Sequence, residues 1–358
     1  MTKKCVVVFF FLLATHALAK EENLPHLRVY PDGCRRMRAI NKKQCLPGIV
    51  VNGQLKAGTT SLFAILEKHP QIDVMRTMFG TSHKEVNSFW FQEAANNTKK
   101  YYQRLRGFPL RPMNDTRVGL EASPFYLSTM VDLGEDLSMF QRVQPNIKFV
   151  TTLRNPVDRS FSEFLMLSDH WDYASVCNGT TYEDIVKEEL AVADKRLLTD
   201  ANLKHRCLTQ SPMFYFQDKF AHPRAEYTGR LVRWSEYSRY LKKWMSVFNS
   251  SQLYVMKVED LDTKPEETVR KLLTWLGLDA NVPLQAVHHN KASCRFKSKG
   301  DCGQDDLNTA SNAQTKYNVK TAHALLRHFK PFNDELAALT GLDVSDWNSG
   351  FKKSYTYE

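Results

Sequence analysis

Apolar positions along the chain fall into two rhythms. Short apolar runs bounded by glycine or polar residues read as buried strands: "PGIVVNG" (47–53), "QIDVM" (71–75), "RVGLEAS" (117–123), "NIKFVTTLR" (146–154) and "SQLYVMKVEDL" (251–261). Between them lie segments with helical spacing. "TTSLFAILEKH" (59–69) places Leu62, Ile65 and Leu66 on one face, and "PVDRSFSEFLML" (156–167) opens with proline, a favoured first helical residue. "PEETVRKLLTWLGL" (265–278) has acids first, lysine later and glycine near its end, as capping and the dipole prefer. Tyr237, Leu241, Trp244 and Phe248 fall on one helical face and are expected in the core. Strands alternating with helices predict an α/β fold, a central parallel sheet flanked by helices. No repeat or break divides the pattern. We expect one domain over 47–350, a polar, basic stem over 20–46 and a C-terminal tail over 351–358.

The first nineteen residues follow a different pattern. Lys3 and Lys4 precede an apolar run that ends in Ala17-Leu18-Ala19. A basic segment, an apolar stretch and an A-x-A site make a signal peptide over 1–19, with an uncleaved signal anchor as the alternative. Either predicts the secretory pathway, in the Golgi lumen or outside the cell. Seven cysteines minus Cys5 leave an even number, which suits disulfides in an oxidising compartment. These six allow fifteen connectivities, and the sequence does not decide among them; we take pairing of neighbours, Cys34–Cys45, Cys177–Cys207 and Cys294–Cys302, as the expectation. The absence of any C-x-x-C argues against zinc. Glycan acceptor tripeptides begin at Asn96, Asn114, Asn178 and Asn249 and are expected on the surface. The 358 residues carry a formal charge of +10, which points to an anionic partner without naming it.

Candidate chemistry is concentrated in "GQLKAGTTSL" (53–62). Gly53 and Gly58 have the separation of a nucleoside-triphosphate loop, but Thr59 stands where such a loop has lysine, and Lys56 comes three residues earlier. A strand-to-helix turn of small residues still offers backbone N–H groups to an anion. Gly58 permits close approach, Thr59, Thr60 and Ser61 add hydroxyls, and Lys56 adds a charge. Without the displaced lysine and its magnesium, a phosphosulfate fits the loop better than a triphosphate.

These residues carry a resemblance. "LKAGTTSL" resembles the 5′-phosphosulfate loop of sulfotransferases that use 3′-phosphoadenosine-5′-phosphosulfate (PAPS). "LRNPVDRSFSEF" (153–164) is similar to that family's 3′-phosphate segment, with Arg154, Pro156 and, eight residues after the arginine, Ser162. The likeness continues through "LEASPFYL", "VEDL" and "LLRHFKPFNDELAALTGLD" and is nearest to Golgi carbohydrate sulfotransferases acting on glycosaminoglycans, in particular the type that sulfates position 6 of 4-sulfated N-acetylgalactosamine.

The resemblance implies roles. Lys56 stabilises the leaving 5′-phosphate and the transferring group. Lys56, Ala57, Gly58, Thr59 and Thr60 hold the 5′-phosphate, and Arg154 and Ser162 the 3′-phosphate. In "SHKEVNSFWF" Glu85 is the base, with His83 the second candidate, and Lys84 lies on the acceptor side. Asn87 and Ser88 occupy the place of the family's histidine. Glu121 in "LEAS" faces the acceptor. Lys299 and Gly300 match a basic loop over the nucleotide, although Asp301 replaces its arginine. PAPS is the expected co-substrate, with no metal. The expected partner is an anionic polysaccharide, not nucleic acid, and a membrane only through an uncleaved anchor. Two alternatives stay open: an inactive nucleotide- and glycan-binding homologue, and a P-loop kinase.

Overall fold

The computed structural model describes residues 34–37, 40–74, 110–124, 126–132, 134–168, 180–193, 231–283 and 316–357. The leader, His83, Lys84, Glu85, Lys299, Gly300, Cys177, Cys207, Cys294 and Cys302 lie outside them, as do Asn96 and Asn178.

The chain opens with a hairpin, β1 (Cys34–Met37) and β2 (Lys42–Cys45), then β3 (Pro47–Val51), helix α1 (Thr59–Leu66) and β4 (Ile72–Val74). After β5 (Arg111–Pro112) and β6 (Val118–Ala122) come α2 (Tyr126–Asp132), α3 (Met139–Val143), β7 (Lys148–Leu153), α4 (Pro156–Ser168) and α5 (Tyr182–Val192). The last part holds α6 (Tyr237–Met245), β8 (Leu253–Lys257), α7 (Val258–Thr263), α8 (Pro265–Leu276), β9 (Tyr317–Asn318), α9 (Val319–Thr340) and β10 (Thr356–Tyr357). Five strands hydrogen-bond in the order β4-β6-β3-β7-β8. β4 runs parallel to β6, and β7 runs parallel to β8. This is the parallel α/β sheet that the alternation of strands and helices predicts.

Contacts divide the chain into two compact units. One lies within Met1–Ile49, Pro70–Glu121 and Ser138–Ile147; the other comprises Val50–His69, Ala122–Leu137 and Lys148–Glu358. In the first, β1, β2 and β5 form a three-stranded sheet. The expected stem is therefore folded in its second half, and the Cys34–Cys45 disulfide closes the hairpin. Arg111 is buried there and lies 3.8 Å from Asp73 on β4.

The second unit contains residues 53–62. Tyr237, Leu241, Trp244 and Phe248 are all buried in it, as their spacing predicts, and the Trp244 indole N–H donates to the Leu127 carbonyl at 3.0 Å. Phe161, Tyr182, Tyr317, Leu325 and Phe329 form a second apolar cluster beneath α4 and α9. Two expectations are corrected here. "SQLYVMKVEDL" is not one strand: it turns helical at Val258, where Glu259 and Asp260 fall in the first turn and suit the dipole. Residues 351–357 are not a loose tail. The Lys352 N–H donates to Asp158 Oδ1 at 2.8 Å, and β10 pairs with β9.

Asn114 and Asn249 are exposed, as acceptor tripeptides require. Among the described residues no helix is long and apolar enough to cross a membrane.

Candidate active site

The loop after β3 is shaped by its neighbours. The Asn52 and Gln54 N–H groups donate to the Val150 and Thr152 carbonyls at 3.1 and 3.0 Å, extending β3 along β7. Gly53 sits inside this pairing. A Cβ there would overlap Thr152 Oγ1 and lie 2.5 Å from the Thr152 backbone N and O, so only glycine fits. The chain then turns through two left-handed residues, Lys56 (φ 67) and Gly58 (φ 77). The Ala57 N–H closes the turn on the Gln54 carbonyl at 3.0 Å. Gly58 is needed twice over, for its φ and because a Cβ would collide with Val258 Cγ2.

Lys56 has no such freedom. A left-handed conformation costs a non-glycine residue about 1–2 kcal/mol. Backbone strain of this kind gathers at ligand-binding turns. It places a half-buried lysine at the start of α1. The helix itself begins without a side-chain cap and without an acid in its first turn. Its N–H groups and dipole therefore favour an anion. Thr59 is buried and Thr60 half-buried in that first turn.

The second segment meets the first. β7 ends at Leu153, and Arg154 Nη1 donates to the Lys56 carbonyl at 3.3 Å, across 98 residues of sequence. The Tyr237 hydroxyl donates to the Arg154 carbonyl at 2.7 Å. Asn155 caps α4: its Oδ1 accepts the Val157 and Asp158 N–H groups at 3.0 and 3.4 Å. The Asn155 N–H donates to Glu259 Oε1 at 2.7 Å, and its Nδ2 donates to the Gly350 carbonyl at 2.7 Å. Burial pushes the Glu259 carboxyl up, while the hydrogen bond from Asn155 and the Arg154 charge pull it back. Ser162 is half-buried further along α4, one turn beyond Asp158 and on the same side. Burial raises the Asp158 carboxyl against the opposing Lys352 N–H and the Arg154 charge.

Beneath these residues lies Arg159, with no exposed surface. Its Nε donates to Ser235 Oγ at 2.6 Å, Nη1 to Glu163 Oε2 at 2.6 Å and to the Leu55 carbonyl at 3.4 Å, and Nη2 to the Leu231 carbonyl at 2.8 Å. Arg159 thus ties the loop backbone to α4 and to the segment around Leu231. Glu189 holds that segment, accepting the Leu231 and Val232 N–H groups at 3.3 and 2.7 Å. Burial pushes its carboxyl up to about 8. The sequence pattern of Arg154, Pro156 and Ser162 assigns Arg159 no role. A basic residue on the apolar side of an amphipathic helix is the signal that marks it.

Lys56, Ala57, Gly58, Thr59, Thr60, Arg154 and Ser162 are thus built on one unit. Glu121 lies in the other unit, 1% exposed near the end of β6. The fit of an adenosine phosphosulfate can be tested on the loop itself. Gly53 and Gly58 let the loop backbone pack directly against Thr152 and Val258, which fixes the turn, and α1 starts without a cap. The donor set comprises amides, hydroxyls, one lysine and one arginine, which suits phosphate and sulfate oxygens. Among the described residues no cluster of His, Cys, Asp or Glu could hold a metal ion.

Comparison with known proteins identifies the family. A family model described as "Sulfotransferase domain" matches residues 46–322. Bifunctional heparan sulfate N-deacetylase/N-sulfotransferase 2 of Homo sapiens is 23% identical over 275 residues, covering 72% of this chain and 27% of that protein. Carbohydrate sulfotransferase 15 of Homo sapiens is 25% identical over 268 residues, 66% of this chain and 44% of that protein. Membrane-associated sulfotransferase kil1 of Dictyostelium discoideum is 22% identical, covering 72% of this chain and 62% of that protein. The chain thus spans less than two thirds of each of these relatives. Among solved structures, a sulfotransferase from Alicyclobacillus acidocaldarius superposes with a TM-score of 0.52 at 20% identity, over 85% of this chain and 99% of that one, and so shares its fold. With the 53–62 loop and Arg154 both inside the matched span, the chain belongs to the sulfotransferase-domain family.

Proposed function

We propose that the chain transfers a sulfuryl group from PAPS to a hydroxyl of a carbohydrate, in particular a glycosaminoglycan-like polysaccharide. The observation that carries this reading is the meeting of two distant segments, with the Arg154 guanidinium on the Lys56 carbonyl. A single phosphate loop suits many nucleotides. An arginine fastened to that loop from a second strand end adds a contact for a 3′-phosphate, which separates PAPS from ATP.

PAPS supplies the activated sulfuryl group, bound to a phosphate that leaves when the acceptor oxygen attacks sulfur in line. The residues divide the remaining work. The α1 N–H groups, Thr59 and Thr60 hold the 5′-phosphate. Lys56 neutralises the charge that grows on the leaving oxygen. Arg154 forks onto the 3′-phosphate with Ser162 beside it. Glu85 takes the acceptor proton as the new S–O bond forms, with Lys84 guiding the acceptor. Lys299 and Gly300 cover the nucleotide. The chemistry needs no metal.

Support for the acceptor class comes from the charge of +10 and from the carbohydrate sulfotransferases among the relatives. We place the protein in the secretory pathway, in the Golgi lumen or outside the cell, on the leader pattern, the Cys34–Cys45 disulfide and the exposed Asn114 and Asn249.

The test incubates the protein with labelled PAPS and a panel of glycosaminoglycans, followed by digestion to disaccharides. Label in a sugar hydroxyl ester, lost in Lys56→Ala and sharply reduced in Glu85→Gln, supports the reading. A second reading rests on Asn87 and Ser88 in place of the family histidine: a homologue that binds nucleotide and glycan without transfer. It predicts saturable binding of 3′-phosphoadenosine 5′-phosphate (PAP) and no label in any glycan.

A further inference from the structure

From Thr151 to Phe164 every residue is buried except Arg154, Asp158 and Ser162. Four-residue spacing sets Asp158 and Ser162 on one side of α4, and Arg154 stands between the end of β7 and the start of that helix. The two residues assigned to the 3′-phosphate thus flank a carboxylate. As an acid in the first turn, Asp158 suits the helix dipole. Beside a bound phosphate the same charge is repulsive.

Arg154 does not answer that carboxylate alone. Its charge also acts on Glu259, which accepts the Asn155 N–H at 2.7 Å. One guanidinium is therefore shared between two carboxylates before any ligand arrives.

A second cation comes from the C-terminal segment. The Lys352 N–H donates to Asp158 Oδ1 at 2.8 Å, and the Lys352 charge acts on the same carboxylate as that of Arg154. Lys352 is exposed, yet its backbone is fixed on both sides. The Gly350 carbonyl accepts from Asn155 Nδ2 at 2.7 Å, Phe351 packs against the apolar cluster beneath α4, and β10 pairs with β9. All of these residues lie in one compact unit.

We propose that Lys352 is a positioning residue of the nucleotide site: it offsets Asp158 and so leaves the Arg154 guanidinium to the 3′-phosphate. The proposal rests on the PAPS reading and adds the C-terminal segment to the parts of the chain that recognise the 3′-phosphate.

The test is calorimetry on the intact chain at low salt, with PAP and with adenosine 5′-monophosphate, which has no 3′-phosphate. Lys352→Gln keeps the backbone N–H and should lower PAP affinity roughly two- to fivefold, while the monophosphate binds as before. Lys352→Arg should retain the full PAP affinity. In an Asp158→Asn background, Lys352→Gln should change PAP affinity little, because no carboxylate remains to be offset. The melting temperature of Lys352→Gln should hold, since the substituted side chain is exposed and the hydrogen bond to Asp158 comes from the backbone. A preference for PAP that Lys352→Gln leaves intact overturns the proposal. So does a loss that persists undiminished in the Asp158→Asn background, which would put Lys352 on the phosphate itself. A parallel fall in monophosphate affinity and melting temperature overturns it too, by marking a purely structural contact. Equal binding of the two nucleotides by the intact protein overturns the PAPS reading and this proposal together, which separates that failure from the others.

Discussion

Arg159 offers the sharpest test of how the loop after β3 is held. It is fully buried, and so is its partner Glu163, 2.6 Å away. Removing one member of a buried pair leaves the other charge stranded, at a cost of about 3–5 kcal/mol. Arg159→Met keeps most of the side-chain volume and should cost that much, since the Ser235 and Leu231 contacts go as well. In a chain of this size that is a fall on the order of 10 °C in melting temperature. Arg159→Met/Glu163→Met removes the stranded carboxylate and should recover most of the loss, because apolar replacement of a buried pair is often near neutral. Function should not recover with it. The Leu55 carbonyl has lost its brace in both variants, so PAP affinity, measured by calorimetry on folded protein, should stay reduced roughly tenfold, equivalent to one hydrogen bond of about 1.4 kcal/mol. A destabilisation under about 1 kcal/mol in Arg159→Met, or a double variant no more stable than the single one, would refute the reasoning.

Lys56→Gly should leave stability equal or raised by about 1 kcal/mol, because the left-handed turn no longer strains the residue, while sulfate transfer is lost; a denaturant titration beside the labelled-PAPS assay reads both. Gly58→Ala should abolish PAP binding, and adding Val258→Ala should restore it only in part, since φ 77 remains costly. Glu189 supplies a pH signature. Its carboxyl is raised from 4.5 to about 8, so its contribution to stability is fully present below about pH 4.5 and drains away as pH rises through 8. Glu189→Gln should flatten that decline in melts taken across the interval. Truncation after Ser349 removes the acceptor of Asn155 Nδ2 and the donor to Asp158, at about 1 kcal/mol each, and should weaken PAP binding through the start of α4.

The parallel sheet was legible because its strands are short apolar runs and its helices carry their own start and stop residues. Gly277, the left-handed cap of α8, stands where the helical pattern ends. The turn after β3 was legible for the same reason: Gly53 and Gly58 are required locally, by close approach and by φ. What escaped depends on distant partners. Arg159 resembles any helix arginine until Leu55, Ser235 and Leu231 surround it. Residues 351–357 are polar enough to read as a tail, but Asp158, Glu183, β9 and the apolar cluster against Phe351 fasten them. The hairpin was hidden because its strands are charged and lack apolar alternation; cross-links and register hold it. "KVEDL" was misread because Val258 suits either strand or helix, and the acids that follow decide for helix.

One binding comparison tests the central claim most directly: the affinity of the intact protein and of Arg154→Ala for PAP and for adenosine 5′-monophosphate, which lacks the 3′-phosphate. Charge-assisted hydrogen bonds contribute about 1.5–3 kcal/mol, so the intact protein should prefer PAP by roughly 10- to 150-fold. Arg154→Ala should lose most of that preference and keep its affinity for the monophosphate. Equal binding of the two nucleotides by the intact protein, or a preference that survives in Arg154→Ala, would contradict a PAPS site built from these two segments.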